Sequence, residues 1–363
     1  MSRMQQRAAA HQDHEFPNSD DRDIAPVLKP VFKEVLIFSP SVKTGGPEAL
    51  HQLGYRIARN GGMARMVYYG VPLTVEGNVF RCGKGPFPLL EHFAQYQPQV
   101  LRESVLAADT LLVFPEPLSK TAAMFRSQPC QRALWWLSVD NALQSNPELL
   151  EQDSARTFFA DRDLSHFYQS EYARTALMNN KAQRYLPLSD YTDPQFIQRS
   201  LTTSDNAPIR FRNNNVCFFP NKGRELARHF LTCDTSLRNQ VEFKAIRDMT
   251  KAQVRDTLFQ ARVYIDFGHH PGKDRVPREA AIAGAVVLLH SAGAANFFGD
   301  HPLSPDYRFT QDDVLSGRLH ERLDDILDDP EAHFAAQRLY RQHILLEQER
   351  FDIEVRSSFF TRV

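Results

Sequence analysis

The chain is poor in cysteine and contains no long apolar run. It has 4 cysteines among 363 residues, and no two of them form a C-x-x-C pair. This spacing argues against a zinc ribbon or a disulfide framework and favours reduced thiols in a cytoplasmic protein. No stretch reaches the roughly 18–20 apolar residues of a membrane span, and the N-terminus carries no apolar signal segment. The cysteines are Cys82, Cys130, Cys217 and Cys233.

The chain also lacks an excess of charge of either sign. The formal net charge is −1, from 43 Lys and Arg against 44 Asp and Glu. We therefore expect no specific nucleic-acid partner, whereas a local basic pocket stays compatible with the composition. The 42% hydrophobic residues and the length suit two globular domains, each with its own core. With 26 Phe, contact with the inner face of a membrane is left open as an alternative to a purely cytoplasmic location.

The stretch from Ala261 to Leu289 combines two apolar segments with a charged loop. Val263–Ile265 and Ala285–Leu289 are short apolar runs of strand length. Between them, Pro277 suits the first turn of a helix and Gly284 suits its end. The pattern predicts strand, loop, helix and strand, which is a parallel crossover unit. In such units ligands bind beyond the carboxyl ends of the strands.

The polar residues of this stretch fall at that end. Cations beside a helix N-terminus suit a diphosphate, and an acid in the first helical turn can accept hydrogen bonds from ribose hydroxyls. An ordinary solvated helix start remains the alternative for any single residue. The pair His269 and His270 offers too few ligands for a metal site, so neither a metal nor another cofactor is expected. The predicted ligand-binding residues are His270, Gly272, Lys273, Arg278 and Glu279, and the predicted catalytic residue is Asp274.

A glycine-containing loop follows the first predicted strand, Lys33–Phe38. Gly45 and Gly46 lie there, just before a helix predicted over Glu48–Arg59. Glycines allow close approach of the backbone to a ligand, and a helix N-terminus favours an anion. Because the loop is not G-x-G-x-x-G, a tight structural turn is about equally compatible with it.

Two acids follow predicted strands of the first half. Asp140 comes directly after Ala133–Val139, where it could orient or deprotonate an acceptor hydroxyl or could equally cap the next helix. We include it as a catalytic candidate. Glu116 follows Thr110–Phe114, and we favour an ordinary loop carboxylate for it.

The domain organisation follows from composition and from the alternation of strands and helices. The linker is predicted over 192–210, which is polar. We also predict a helix over Glu91–Leu106 and a short strand over Thr157–Phe159. The predicted segments are a flexible arm over 1–28, a first Rossmann-like domain over 29–195, a second over 205–337 and a terminal helical segment over 338–363.

Three segments resemble the GT-B glycosyltransferases. PREAAIAGAVVL, from Pro277, resembles their nucleotide-sugar site, where a Glu-Ala helix with a Gly break leads into a strand. TGGPE, from Thr44, resembles their first cleft loop, and PNKGRE, from Pro220, resembles the Pro-x-Lys-Gly turn of their second domain. The wider stretch DFGHHPGKDRVPREAA is similar to family 4-like transferases of bacterial surface-polysaccharide clusters.

The resemblance implies an α/β fold with two Rossmann-like domains facing a cleft. It implies that Glu279 holds the donor's ribose and that Lys222 and Arg224 lie beside the donor phosphates, although on sequence alone a charged helix start would explain that pair. It also places Gly45 and Gly46 in the cleft and sends the terminal helix back onto the first domain. Many retaining members have a second acid eight positions before the ribose acid, but Pro271 stands there.

The function that the resemblance implies is transfer of a sugar from a nucleotide-sugar donor to a saccharide or related acceptor in surface-polysaccharide synthesis. Two alternatives stay open. One is a non-catalytic binding or scaffold protein with the same fold, which would tolerate loss of cleft carboxylates. The other is a sugar-nucleotide epimerase, which would need no acceptor.

Overall fold

Two parallel sheets form the framework of the computed structural model, which describes residues 28–85, 87, 90–202, 208–233 and 241–362. The predicted arm over 1–28 lies outside the described residues except for Leu28. The strands of the first sheet are β2 (Glu34–Ser39), β3 (Ala64–Tyr68), β7 (Thr110–Pro115), β8 (Gln131–Trp136), β9 (Leu164–Tyr168) and β10 (Tyr185–Pro187). Those of the second are β11 (Asn215–Phe218), β12 (Glu242–Ala245), β13 (Val263–Asp266), β14 (Val286–His290) and β15 (Arg308–Phe309).

The strand orders are β10-β9-β8-β7-β2-β3 in the first sheet and β12-β11-β13-β14-β15 in the second, and every pair in both is parallel. Each order reverses direction part-way, which is the doubly wound arrangement that opens a crevice at the carboxyl ends of the strands. We call the half built on the first sheet the first domain and the other half the second domain.

Helices cover both sheets. Those of the first domain are α1 (Gly45–Arg59), α2 (Ser119–Met124), α3 (Val139–Ser145), α4 (Gln152–Phe159) and α5 (Glu171–Asn179). The next helix, α6 (Pro194–Leu201), packs on the second domain, where Phe196 stacks on Phe259. Later helices are α7 (Arg224–Cys233), α8 (Lys251–Gln260), α9 (Arg275–Ile282), α10 (Gln311–Leu315), α11 (Arg318–Asp328), α12 (Pro330–Ala336), α13 (Arg338–Leu345) and α14 (Glu347–Phe359). Among the described residues, no helix is long and apolar enough to cross a membrane.

Successive tryptophans of β8 show why the first sheet needs cover on both faces. Side chains alternate along a strand, so Trp135 and Trp136 point to opposite sides. Trp135 stacks on Phe351 of α14, with ring centroids 6.4 Å apart, and Trp136 stacks on Phe159 of α4 at 5.7 Å. The last helix therefore packs on the first sheet, although α13 just before it packs on α9 of the second domain.

Two short antiparallel sheets complete the described chain. Strands β1 (Leu28–Pro30) and β16 (Phe360–Arg362) pair beside α14, so the C-terminal segment stays on the first domain. Strands β4 (Leu73–Glu76), β5 (Val79–Cys82) and β6 (Glu103–Val105) form a three-stranded excursion between β3 and β7.

Two secondary-structure predictions are wrong. The helix predicted over Glu91–Leu106 is a single turn, Ala94–Tyr96, which ends at Gln97 in the left-handed region and is followed by strand β6. Pro98 accounts for the break, because a proline disfavours helix at the residue before it. The strand predicted over Thr157–Phe159 is the last turn of α4, which buries Phe159 against Trp136.

The unit predicted between Ala261 and Leu289 is present as β13, α9 and β14. Gly284 ends α9 with φ +92°, a left-handed conformation that L side chains rarely adopt. The helix begins at Arg275, two residues earlier than Pro277. This earlier start changes which side chains meet at the helix N-terminus.

Candidate functional site: the interdomain cleft

A cavity of about 1160 Å³ lies between the two domains. It is bounded by the carboxyl ends of β2, β7 and β8 on one side and of β11, β12 and β13 on the other, which is the crevice expected for this topology. Its charged lining residues are Lys43, Glu48, Glu116, Asp190, Asp193, Lys222, Asp248, Lys251, Asp266, Lys273, Asp274, Arg275 and Glu279.

The glycine turn opens onto this cavity, as the resemblance implies. Gly45 and Gly46 are the first residues of α1, and both line the cleft. A Cβ added at Gly45 would lie 3.0 Å from Cδ of Arg275, so the glycine leaves room for the arginine of the second domain. The N-cap residue Thr44 makes no side-chain capping bond.

Arg275 joins the two domains through Glu48, a pair that the sequence analysis did not identify. Its guanidinium pairs with Glu48 Oε2, which also receives Lys251 Nζ at 3.0 Å, and Tyr96 donates to Oε1 at 2.8 Å. Burial alone would raise the pKa of Glu48, but the two cations outweigh it and lower the pKa to about 2. Both residues lie in segments that the sequence marks as part of a site: Glu48 ends the TGGPE stretch, and Arg275 lies in the charged loop.

Glu279 lies in the cleft wall beside this pair. Because α9 starts at Arg275, Glu279 stands four residues later, one turn above it, and accepts from Arg275 at 3.2 Å. Its placement in the first helical turn is therefore corrected to the second. Burial raises the pKa of Glu279 despite the arginine. The apolar residues that line the same cavity include Phe219, Ile246, Met249 and Val254.

Lys222 also lines the cleft, where it pairs with Asp274. Lys222 Nζ lies 2.7 Å from Asp274 Oδ2, and the same oxygen lies 3.2 Å from Nδ1 of His270. Although burial acts against it, the His270 and Lys222 contacts lower the pKa of Asp274. A carboxylate with a lowered pKa is a poor proton acceptor. A role in positioning Lys222 therefore suits Asp274 better than the predicted catalytic role.

His270 does not face the cavity. Its side chain is fully buried behind Asp274, with Nε2 3.9 Å from Asp266. Burial would lower the pKa of His270, but the two carboxylates raise it. The prediction that His270 binds the nucleotide-sugar donor is therefore corrected: its ring contacts Asp274 from behind and supports that carboxylate.

The two remaining cations of the charged loop are engaged in a buried network. Arg278 is completely buried and pairs with Asp190 at 2.7 Å and Glu347 at 2.9 Å. Lys273 Nζ lies 2.8 Å from the other oxygen of Glu347. Glu347 is the first residue of α14 and also accepts from Thr192 at 3.0 Å and 2.9 Å. Through these contacts, α9 and the loop before it are bonded to the two segments in which the chain passes between the domains. One segment contains Asp190 and Thr192, and the other contains Glu347.

The prediction for Arg278 as a donor ligand is therefore corrected. Its side chain is absent from the cleft lining, and both of its nearby acids already neutralise it. Lys273 does line the cavity, but its ammonium is directed to Glu347. The sequence pattern predicts that Lys273 and Arg278 bind a ligand. A buried cation, however, requires acidic partners within the protein, and these two cations have them.

Gly272 is a contact between the domains. A Cβ at this position would lie 1.9 Å from the carbonyl oxygen of Leu137, at the end of β8. The next contact is a backbone bond from Val139 N to the carbonyl of Pro271 at 2.8 Å. Gly272 lines the cleft, and its lack of a side chain permits this close approach. Its contact with the donor stays a prediction.

Asp140 and Arg224 lie away from the cavity. Asp140 Oδ2 is 2.8 Å from Nε2 of His269, and Oδ1 accepts from Tyr172 at 3.1 Å, so this acid bridges the domains outside the cleft lining. Arg224 is exposed at the start of α7 and is also absent from the lining. The predicted catalytic role of Asp140 and donor role of Arg224 are corrected accordingly.

The described ranges contain no cluster of side chains suited to binding a metal ion. No group of three or more His, Cys, Asp or Glu side chains among those residues could hold a metal ion. The expectation that no metal takes part stays a prediction.

Comparisons with known proteins identify the fold. No family model matches the chain, and no curated protein matches it. Sucrose-phosphate synthase from Thermosynechococcus elongatus is 14% identical, with a TM-score of 0.57 over 88% of this chain and 96% of that one. HepE of Anabaena, solved in complex with UDP, is 15% identical, with a TM-score of 0.59 over 90% and 98%.

A third structure has the same architecture. It is an alpha,alpha-trehalose-phosphate synthase (UDP-forming) from Burkholderia xenovorans in complex with glucose-6-phosphate, 12% identical, with a TM-score of 0.54 over 89% of this chain and 100% of that one. These similar structures are GT-B glycosyltransferases. The chain has the GT-B fold, and the predicted fold class is confirmed.

Proposed function

We propose that the cleft binds a nucleotide sugar and that the protein transfers its glycosyl group to a saccharide acceptor. The observation that carries this proposal is the presence of Lys222 and Glu279 on the second-domain wall of one cavity, opposite the glycine turn of the first domain. A nucleoside diphosphate needs a cation for its phosphates and an acceptor for its ribose hydroxyls. Both requirements are met within this cavity.

The apolar part of the second-domain wall suits the nucleoside. Ile246, Met249 and Val254 line the cavity along with Glu279, so a base could pack on apolar side chains while the ribose hydroxyls donate to a carboxylate. The raised pKa of Glu279 reflects burial, and a ribose diol would supply hydrogen bonds that its buried oxygens can accept.

The diphosphate would then extend toward Lys222. When the bond between the anomeric carbon and the diphosphate breaks, its electron pair remains on the diphosphate oxygen. A cation placed there stabilises the leaving group without a metal ion. The uncapped start of α1 at Gly45 and Gly46 faces the same space and favours negative charge.

We also propose that the acceptor is a saccharide used in surface-polysaccharide synthesis, at the cytoplasmic side of a membrane. The support is the resemblance of the stretch from Asp266 to Ala281. The acceptor would enter along the first-domain wall, where Asn141, Gln169 and His92 offer polar contacts.

Isothermal titration with UDP, GDP, ADP and inorganic pyrophosphate tests the donor site. Glu279→Gln should weaken the best nucleoside diphosphate about tenfold or more, since it removes a charged hydrogen-bond acceptor, and should spare pyrophosphate, which has no ribose. The control is Glu225→Gln, which removes an exposed acid of α7. Equal loss for both ligands would contradict the ribose role.

Incubation with nucleotide sugars distinguishes the alternatives. A transferase releases nucleoside diphosphate faster when a saccharide is added. A binding or scaffold protein would bind the nucleotide sugar without releasing the diphosphate, and an epimerase would convert the sugar without an acceptor.

A further inference from the structure

Glu116 is a buried acid of the cleft for which the described residues provide no cation. Asp193 is another, but its carboxylate caps α6 by accepting from the backbone N–H of Gln195. Glu116 follows β7, an interior strand of the first sheet, and is 4% exposed. It lines the cavity, yet no salt bridge within the described ranges includes it. Glu48 and Asp274, by contrast, are each paired with a lysine.

The contacts of Leu137 place Glu116 where the two domains meet. Glu116 Oε2 accepts from the backbone N–H of Leu137 at 3.1 Å. The side chain of Leu137 would touch a Cβ at Gly46 at 3.6 Å, and its carbonyl approaches Gly272. Glu116 is therefore hydrogen-bonded to a residue that lies beside both Gly46 and Gly272.

Its surroundings suit a group that exchanges a proton near neutral pH. Burial raises the pKa of Glu116 to about 8, although hydrogen bonds from the backbone N–H groups of Leu137 and Ser138 act in the opposite direction. The titratable group that interacts with it from the end of β3 is Tyr69, whose pKa is also raised by burial. The turn after β8 contributes the backbone N–H groups of Leu137 and Ser138.

We propose that Glu116 is the catalytic base of the transfer, contacting the acceptor hydroxyl and removing its proton. This inference rests on the proposed function. As the acceptor oxygen forms its bond to the anomeric carbon, the bond to the diphosphate breaks and its electron pair leaves with the diphosphate. The hydroxyl proton passes to Glu116, which releases it to solvent when the products leave.

A purely structural role makes a different prediction. If Glu116 only holds the turn at Leu137, a glutamine would serve, because its amide oxygen also accepts an N–H bond. A glutamine cannot take a proton. Glu116→Gln therefore separates a base from a support.

The matched control is Glu354→Gln. Glu354 is also buried, and it accepts from the backbone N–H of Ser189 at 2.6 Å, but it lies outside the cleft lining. The assay measures UDP release with UDP-glucose as donor and glucose 6-phosphate as acceptor, over pH 5.5–9.5. We expect Glu116→Gln to lower kcat about 100-fold or more with little change in the KM for UDP-glucose, as for other positioned bases. We expect Glu354→Gln to keep the wild-type kcat.

The pH profile is the second signature. Wild-type kcat should rise with pH and level off near the pKa of Glu116, and Glu116→Gln should lose that rise. A Glu116→Gln variant that keeps at least half of kcat would overturn the inference, and so would a wild-type profile that is flat between pH 6 and pH 9.

A ligand-free measurement tests the ionisation of Glu116 independently of the donor. The Tm of wild type relative to Glu116→Gln should fall by about 3 °C or more between pH 5 and pH 9, because the buried acid loses its proton in that range. A constant difference would show that folding does not raise the pKa of Glu116 and would contradict the rise of kcat through neutral pH that is expected for this base. If UDP-glucose is not used at all, the kinetic assay is repeated with the nucleotide sugar whose nucleoside diphosphate binds best, and the Tm measurement still tests the ionisation of Glu116.

Discussion

Asp300 of the second domain caps helix α5 of the first domain by accepting from Glu171. Its Oδ1 lies 2.7 Å from the backbone nitrogen of Glu171, and Oδ2 lies 3.1 Å from that of Tyr172. The free N–H groups of a helix start are thus satisfied by a side chain from the other domain. Together with the bond from Val139 to Pro271, this contact holds the two domains against each other at the rim of the cleft.

Replacing Asp300 should loosen this contact in a pH-dependent manner. Loss of the cap in Asp300→Ala should cost about 1–2 kcal/mol of unfolding free energy, measured by urea denaturation. Burial raises the pKa of Asp300 to about 6, against the two backbone hydrogen bonds. An acid whose pKa is higher in the folded protein than in the unfolded chain contributes stability that is fully present below the unfolded pKa. That contribution is lost as the pH rises through the folded pKa, here about 6. Asp300→Ala should therefore lower the free energy of unfolding more at pH 4 than at pH 7.

The control is Asp312→Ala, an exposed acid at the start of α10, which should change stability by less than about 0.5 kcal/mol. A cost for Asp300→Ala that grows with pH would contradict the assigned direction of its pKa shift.

Gly272→Ala should force the domains apart at the cleft. The new Cβ would lie 1.9 Å from the Leu137 carbonyl, so the interface must shift, at a cost of about 1–3 kcal/mol. The radius of gyration from small-angle scattering should increase, and the urea midpoint should fall. Gly299→Ala is the matched control at the same interface, because its Cβ would meet Glu171 at 3.5 Å, an ordinary contact. Equal behaviour of the two variants would show that the close approach is not needed.

Arg278→Ala should destabilise the protein strongly. Removing the guanidinium leaves Asp190 buried without its cation and leaves Glu347 with Lys273 alone, and breaking a buried pair in this way typically costs about 3–5 kcal/mol. The measurement is the free energy of unfolding from urea titration. Arg224→Ala removes an exposed arginine and should stay within about 0.5 kcal/mol of wild type. A stable Arg278→Ala that binds pyrophosphate weakly would restore its predicted role as a ligand.

The sequence predicted the fold better than the site. Apolar strand patterns and the position of Gly284 were sufficient for the β13–α9–β14 unit, because both depend on local structure. The roles of Arg278 and Lys273 depend on Glu347, which lies about 70 residues further along the chain, and no local pattern reveals that partner. Asp140 fails for the same reason, since His269 of the other domain engages it.

Glu116 shows the reverse case. A carboxylate at a strand end in the sequence resembles any loop acid, and its significance comes from burial without a cation, which only the packed structure displays. The ordinary loop interpretation that we favour for it from sequence takes no account of this burial.

Lys222 should control binding of the diphosphate part of a donor. Without a ligand, Lys222 pairs with Asp274 at 2.7 Å, so a phosphate must compete with a resident carboxylate. Lys222→Ala should weaken pyrophosphate and nucleoside diphosphates alike, by about tenfold, which corresponds to ~1.4 kcal/mol. The loss should be larger at low salt, because screening weakens charge pairs. Arg224→Ala, two residues away and outside the cleft lining, is the control.

The competition makes a prediction of the opposite sign for Asp274→Asn. Asp274 is the N-cap residue of α9 by position, but its side chain makes no capping hydrogen bond, so an asparagine there should leave the helix intact. Removing the carboxylate frees Lys222 for phosphate and should tighten pyrophosphate binding, measured by isothermal titration. If Asp274→Asn instead weakens pyrophosphate, the carboxylate orients the lysine and does not compete with the ligand. If neither Lys222→Ala nor Asp274→Asn changes the affinity, the diphosphate binds elsewhere in the cleft.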